Sequence, residues 1–337
     1  MSDADRDPSE PADAPRPKSR LVTVSADEAG QRIDNFLGRH LRGVSRPRLY
    51  RAIRKGEVRV NKGRTRQTYR VEEGDVVRIP PISAPPSDDA SRPSTFDWRP
   101  HILDQDKAFL VIDKPSGWAV HGGSGVSAGV IESLRANLPG EHYLELAHRL
   151  DRSTSGVLVV ARKRSALRGL HAALRESQVE KEYLLLVDGD WQHGEVVIDA
   201  PLNVSARQSG ERVVRVSPHG QPSQTRFALR DRYGDVSLVS ARPTTGRTHQ
   251  IRVHAAHAGH AILGDDRYGE PSANARAAKL GLDRLALHAA AMAFEWPEGS
   301  PRHYSAPMPD ALHSFINRLE KRGTRPGKRA KGRQGRR

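Results

Sequence analysis

Residues 148–164 read HRLDRSTSGVLVVARKR, a polar, arginine-flanked loop running into an apolar stretch from Val157 to Ala161. An apolar run this short, entered from a Ser/Thr/Gly turn, reads as a buried strand. Leu144 to Ala147 reads as the end of another strand. Asp151 therefore falls in a loop between sheet elements, where functional side chains are often displayed. The alternative is a turn aspartate that bonds its own backbone, followed by serine and glycine for turn geometry. Outward from this stretch, AFLVIDKPSG (108–117) is a strand ending in a turn and KEYLLLVDG (181–189) is a strand. VSLVSARPTTGR (236–247) runs from strand into loop, and RLALHAAAMAFEW (284–296) is strand-like. Helical spacing appears in SALRGLHAALRE (165–176), with Ser165 as its expected cap, and in THQIRVHAAHAG (248–259), expected to be capped by Thr248 and closed by Gly259. Strands outnumber helices, and several adjoin through tight turns. The expectation is an α+β fold with a mixed, mainly antiparallel sheet and flanking helices, rather than a doubly wound parallel one.

The 337 residues have room for one large domain and a small one, and 36% hydrophobic content suffices for a core. There is no cysteine, which excludes disulfides, thiolate metal sites and cysteine nucleophiles. No apolar run approaches the roughly 20 residues of a membrane span, and the acidic, proline-containing start lacks the apolar stretch of a secretion signal. No membrane partner and a cytoplasmic location are expected. The formal net charge of +15 is unevenly spread. Residues 321–337, KRGTRPGKRAKGRQGRR, hold nine Lys/Arg and no acid, residues 45–79 hold eleven basic and four acidic side chains, and the remainder is close to neutral. Two concentrated basic segments on a near-neutral body read as the footprint of a polyanion such as nucleic acid.

Residues 1–20, rich in Pro, Ser and Asp, are expected to be a disordered N-terminus. A small domain follows over 21–80. In it QRIDNFLGRHL (31–41) places Ile33, Phe36, Leu37 and Leu41 at helical spacing. SRPRLYRAIRKG (45–56) has Ser45 as a cap, Leu49 and Ile53 inward and Gly56 as a stop. Arg48, Arg51, Arg54 and Lys55 fall mostly on the opposite face, where they suit phosphates. The stretch from Glu57 to Ile79 alternates apolar and polar residues around turns and reads as short strands. Proline and serine then thicken, marking a linker over 81–97. A larger domain is expected over 98–318 and an unfolded basic tail over 319–337.

Without cysteine, chemistry must come from carboxylates, histidines, lysines, tyrosines or hydroxyls. In GRTHQIRVH (246–254), Arg247 stands just ahead of a helix, with His249, Gln250 and Arg252 in its first turns. Arg247 could hold a phosphate at the helix N-terminus or clamp a carboxylate, against the plainer reading of a surface arginine. Tyr183 sits among apolar neighbours, either as a sheet aromatic or as a ring at a pocket edge able to stack on a base. Lys114, in a turn shaped by Pro115 and Gly117, is either solvated or part of a site. His254, His257 and His260 step round a helix surface, and no cysteine or well-placed carboxylate completes a tetrahedral set, so no metal is expected.

Taken together, DKPSGWAVHGGSG (113–125), HRLDRSTSGVLVVARKRSALRGLH (148–171), KEYLLLV (181–187), ARPTTGRTHQIRVHAAHAGHAILGDDRYG (241–269) and RLALHAAAM (284–292) resemble the RluA-type family of RNA pseudouridine synthases. The segments run in the family's order and span roughly residues 100 to 295. GQRIDNFL through GDVVRI is similar to the S4-type RNA-binding domain, an αL motif that often precedes this catalytic domain. The resemblance implies isomerisation of uridines to pseudouridine within RNA, with 23S ribosomal RNA or its large-subunit precursor as partner, no cofactor, and action as a monomer. It implies that Asp151 is the catalytic aspartate, that Arg247 pairs with it, and that Tyr183 stacks on the flipped base and assists a late proton transfer. Leu287 matches a position packing against the base, and Arg149 one that enters the space vacated by flipping. Lys114, His249 and Gln250 are implied as further substrate contacts, and Arg48, Arg51, Arg54 and Lys55 as RNA contacts. A noncatalytic RNA-binding ribosome assembly factor on the same scaffold is the competing reading. The joint presence of HRLD, KEY and GRTHQIR argues against it, since a binding module has no need of all three.

Overall fold

A computed structural model describes residues 19–26, 28–41, 44, 46–82, 96–122, 128–141, 143–206, 212–296 and 300–323. The chain divides into two compact units at Ala90/Ser91. That division falls inside the expected linker, of which residues 83–95 lie outside the described residues, as do residues 1–18, Ser45 and the chain beyond Gly323.

In the small unit, helices Ile33–His40 and Arg46–Lys55 pack on an antiparallel sheet whose strands run in the order Arg20–Thr23, Val76–Ile79, Arg59–Val60, Gly63–Arg64. The apolar positions at helical spacing, Ile33, Phe36, Leu37, Leu49 and Ile53, form one core with Val58, Val71 and Val77. Gly56, at φ +71°, ends the second helix in the left-handed conformation that glycine tolerates best. Arg48, Arg51, Arg54 and Lys55 are exposed, while Leu49, Ala52 and Ile53 are buried on the other side of the same helix.

The larger unit is built on a ten-stranded sheet. Its path runs Glu195–Asp199, Gln224–Arg232, Val236–Pro243, Val179–Asp188, Leu287–Trp296, Ser155–Ala161, Phe109–Lys114, Ile102–Gln105. Ser300–Ser305 and Glu145–Leu146 pair with Leu287–Trp296 and Ser155–Ala161 off this path. Among the described residues every pairing in this sheet is antiparallel except one, between Ser155–Ala161 and Leu287–Trp296. Strand Ser155–Ala161 is buried along its whole length because both faces are covered. Leu158 and Val160 pack with Leu110, Ile112 and the helix Val130–Asn137. Val157 and Val159 point the other way, toward Phe109, Val111 and the helix Arg164–Arg175. The near-continuous apolar run of the opening stretch is the signature of such two-sided burial.

Three sequence expectations change. Neither Ser165 nor Thr248 caps its helix: Arg164–Arg175 starts after Lys163 and Gln250–His257 after His249, in both cases with no side-chain cap bond. Gly259, at φ +83°, does follow the second of these. The larger unit also continues past residue 318, because the helix Asp310–Gly323 carries Leu312, Phe315, Ile316 and Leu319 into the core at helical spacing.

Candidate active site

The loop that carries Asp151 is fixed from three sides. At its end, Gly156 adopts φ +109° and lies so close to the neighbouring strand that a Cβ would stand 2.1 Å from the Ala289 carbonyl oxygen. Only glycine permits this approach, which creates the single parallel contact, His288↔Ser155 and Ala289↔Gly156. Just before Asp151, Leu150 is buried among Ile112, Ile131 and Leu158. From the side, the DKPSG turn is laced to the loop. Gly117 N–H donates to the Arg152 carbonyl at 2.9 Å, Arg152 Nε donates back to the Gly117 carbonyl at 2.9 Å, and Ser116 Oγ donates to the Ser153 carbonyl at 2.7 Å.

Lys114 completes this lacing and does not line the cleft onto which Asp151 opens. Fully buried, it donates from Nζ to the carbonyls of Pro115 (2.8 Å), Trp118 (2.9 Å) and Arg152 (3.2 Å). Burial, reinforced by the charge of Arg284, pulls its ammonium down to about 7, with Asp151 and Asp113 opposing. The sequence could not distinguish a solvated turn lysine from one caged by three carbonyls. Behind the loop, Arg284 Nη2 donates to Ser155 Oγ (2.8 Å) and to the Leu287 carbonyl (3.2 Å), and Ser155 Oγ lies 2.8 Å from His288 Nδ1. His288 Nε2 faces the Ala306 carbonyl at 3.3 Å, so that nitrogen carries the proton and Nδ1 accepts from the serine hydroxyl. Burial holds His288 neutral, pushing it down to about 4.

Asp151 opens onto a cleft of about 350 Å³ and is the one acid lining it among the described residues. Its Oδ2 lies 3.5 Å from Arg252 Nη1 and 3.9 Å from His249 Nε2, and its side chain keeps 28% exposure. At 3.5 Å the guanidinium acts through charge more than through a made hydrogen bond. Arg252 is held by a bidentate pair to buried Asp265, Nε–Oδ2 and Nη2–Oδ1 both at 2.7 Å, and by Asp266 at 3.2 Å. Burial would lower the Arg252 pKa, but the Asp265 bonds, with Asp151 and Asp266, raise it above its ordinary value. Burial likewise works to raise Asp265, yet Arg252 and the Arg267 and Tyr268 amides hold it low. The result is a rigid cation aimed at a loosely held carboxylate.

Arg247 does not pair with Asp151. Its Nε donates instead to the Pro222 carbonyl at 3.3 Å, and it lines the cleft beside Gly246. His249 takes a left-handed φ of +54° between the two arginines, so Arg247 precedes the helix while Arg252 sits in its first turn. The structure brings Arg252, and not Arg247 of the same motif, to Asp151. Gln250 lines the cleft too, but its amide is spent on the fold: Nε2 donates to the Gln224 carbonyl (2.8 Å) and Thr225 Oγ1 (2.9 Å), while Oε1 accepts from Thr245 Oγ1 (2.7 Å) and Arg247 N–H (3.0 Å). His249 Nδ1 lies 2.8 Å from the Tyr268 hydroxyl. Burial, with the charges of Arg252 and Arg267, pushes His249 below its usual value despite Asp151.

Tyr183, Leu287 and the exposed Arg149 complete the wall. Tyr183 pairs with Ala289 across strands and Leu287 with Leu185, which places Tyr183 and Leu287 on one face of the sheet. Burial and the Asp151 charge push the Tyr183 phenol well above its ordinary value, so at neutral pH it rests protonated. Lys181, overlooked in the sequence, also lines the cleft, two residues from Tyr183 on the same strand face. Burial lowers its pKa. The helix histidine His254 is buried with Nδ1 2.9 Å from Thr225 Oγ1 and Nε2 2.9 Å from the Ala200 carbonyl. Among the described residues no group of three His, Cys, Asp or Glu side chains could hold a metal.

A family profile described as RNA pseudouridylate synthase matches residues 108–257, and an S4 domain profile matches residues 31–77. The chain is 52% identical over 313 residues to ribosomal large subunit pseudouridine synthase C of Yersinia pestis, covering 91% of this chain and 98% of that protein. It is 52% identical over 310 residues to the protein of that name from Escherichia coli strain K12, covering 90% and 97%. Among solved structures, Human RNA Pseudouridylate Synthase Domain Containing 4 aligns with TM-score 0.56 at 27% identity, over 66% of this chain and 94% of that one. With this identity over nearly the whole chain, the protein belongs to the RNA pseudouridylate synthase family and carries an S4 domain ahead of its catalytic domain.

Proposed function

We propose that the protein converts uridines of 23S ribosomal RNA, or of the large-subunit precursor, to pseudouridine, acting as a cytoplasmic monomer without a cofactor. The observation that carries this reading is Asp151, the cleft's one acid among the described residues, facing Arg252 at 3.5 Å with Tyr183 and Leu287 on the opposing strands. Its relatives' names supply the ribosomal substrate class.

The reaction needs few groups. The bond from ribose C1′ to uracil N1 breaks, the base turns, and C1′ bonds to C5. One proton leaves C5 and one is taken up at N1, so the product is an isomer. A carboxylate can attack C1′ or remove a proton from C2′, and either route needs the Asp151 oxygen against the sugar. Arg252 orients that carboxylate. The Tyr183 ring at the cleft supports the stacking role. Leu287 supplies apolar contact to the base, and Arg149 stands exposed at the cleft to occupy the space left in the RNA. A base inside a duplex cannot reach such a cleft, so it must be extruded at a cost of a few kcal/mol. Phosphate contacts from Arg48, Arg51, Arg54 and Lys55 help offset this cost.

The test is incubation with unmodified large-subunit RNA, followed by carbodiimide primer extension. Wild type should create new stops and Asp151→Asn none. Absence of stops with wild type, or equal stops with both, would overturn the reading. A noncatalytic assembly factor predicts the first of these outcomes together with rescue of assembly by both forms.

A further inference from the structure

The helix Arg164–Arg175, RSALRGLHAALR, contains four basic residues and no acid. Arg164, Arg168, His171 and Arg175 follow one another at intervals of four, three and four, which sets them within about 60° of one another on the helix. The opposite face is committed to the fold, with Ala166 and Leu170 buried in the core and Gly169 so close to Trp296 that a Cβ would stand 3.1 Å from its ring. Like charges at four-residue spacing disfavour a helix, and of the four only Arg175 stands in the last turn, where the helix dipole favours a cation.

Two contrasts separate it from an ordinary solvated face. Exposed arginines on strand Gln224–Arg232 are each neutralised, Arg226 by Glu195, Arg230 by Glu182 and Arg232 by Asp190. Arg168 and Arg175 are equally exposed and have no carboxylate partner among the described residues. The stripe also ends at the active site. Leu174, in the last turn, lines the cleft, and Lys181 continues the cationic line inside it, partly desolvated and without a carboxylate partner among the described residues. Glu176, the next acid in the chain, follows the helix about 100° round its axis from Arg175.

We propose that this line, from Lys181 in the cleft through Arg175 and Arg168 toward Arg164, binds successive phosphates of the single RNA strand on one side of the target uridine. From Arg164 to Arg175 it extends about 16 Å, enough for several phosphates. The proposal rests on the reading of the cleft as an RNA-modifying site.

The test measures binding and turnover of the full chain on a large-subunit RNA transcript, comparing wild type, Arg168→Gln/Arg175→Gln, Arg168→Lys/Arg175→Lys and, as a control for general charge, Arg226→Gln. The double Gln variant should raise Kd and KM about tenfold with kcat within twofold. Its plot of log affinity against log salt should be shallower by about 1.4, which corresponds to two lost phosphate contacts on a single strand. The Lys variant and the Arg226→Gln control should stay near wild type. An unchanged Kd and salt slope in a double Gln variant that melts like wild type would overturn the proposal. It would leave an acidic protein as the occupant of this face. Filter binding reads the salt slope whether or not the wild type forms pseudouridine, so the two readings fail separately.

Discussion

Asp75 in the small unit and Asp151 in the larger one show how one side chain serves two purposes. Asp75 is 6% exposed and fully ligated, by Tyr69 Oη at 2.9 Å, Glu72 N–H at 2.8 Å and Asn61 Nδ2 at 2.7 Å. Burial works to raise its pKa, and these bonds outweigh it and hold the carboxyl low. Asp151 is partly open, and its nearest side-chain cation stands 3.5 Å away. The first carboxylate has spent its hydrogen-bonding capacity on the fold. The second has been kept in reserve, and the surrounding structure instead goes into fixing its loop and its counter-ion. An acid that is surrounded yet underligated is the candidate for chemistry, which is the role proposed for Asp151.

The largest effects expected are those that pull this contrast apart. Asp151→Asn should lower pseudouridine formation by about 10⁴-fold or more, read by tritium release from 5-labelled RNA, with a melting curve like that of wild type. If it also unfolds the protein, Asp151 is structural in the way Asp75 is. Asp75→Asn should do the reverse, costing about 2 kcal/mol of stability in urea denaturation because buried donors lose their charged acceptor, with kcat of the folded protein intact.

The support behind the loop has its own pH signature. His288 sits at about 4 when folded against 6.5 for the free side chain, so the unfolded chain binds the extra proton first. Its contribution to stability is fully present above about 6.5 and is lost as the pH falls toward 4. Between pH 7 and pH 5 this amounts to about 2 kcal/mol. Denaturation of His288→Gln at the two values should show a correspondingly smaller difference than wild type. An equal difference would mean that the histidine is not buried neutral against Ser155. The smallest effect should come from the small unit's exposed face. Replacing Arg48, Arg51 and Arg54 by alanine should raise KM about tenfold, flatten its salt dependence and leave kcat unchanged.

Much of this architecture is legible in the chain. Strands such as Phe109–Lys114 and Ser155–Ala161 contain compact apolar runs next to turns, and the structure shows them in place. The loop position of Asp151 follows from the strand that begins at Ser155. Its partner does not. Arg247 and Arg252 share one motif, and what separates them is the left-handed turn at His249 together with Asp265, thirteen residues beyond Arg252. Neither is a local pattern. Lys181 was accessible in principle, since a residue two before Tyr183 on a strand must share its face. Strands Glu195–Asp199 and Gln224–Arg232 leave a weak sequence signal because they lie near the sheet edge and carry charged residues along their exposed face. The helix Asp310–Gly323 carries a readable apolar spacing, but it ends in the basic run that suggested an unfolded tail.

The most direct test of the central claim, that Asp151 works against Arg252, compares Arg252→Lys with Arg247→Lys in single-turnover assays on one transcript. Both substitutions keep a positive charge, but only the first dismantles the bidentate clamp to Asp265 that aims a cation at the Asp151 carboxylate. Arg252→Lys should slow the chemical step about a hundredfold, while Arg247→Lys should change it less than threefold. Equal rates for the two variants, or the greater loss at Arg247, would contradict the pairing.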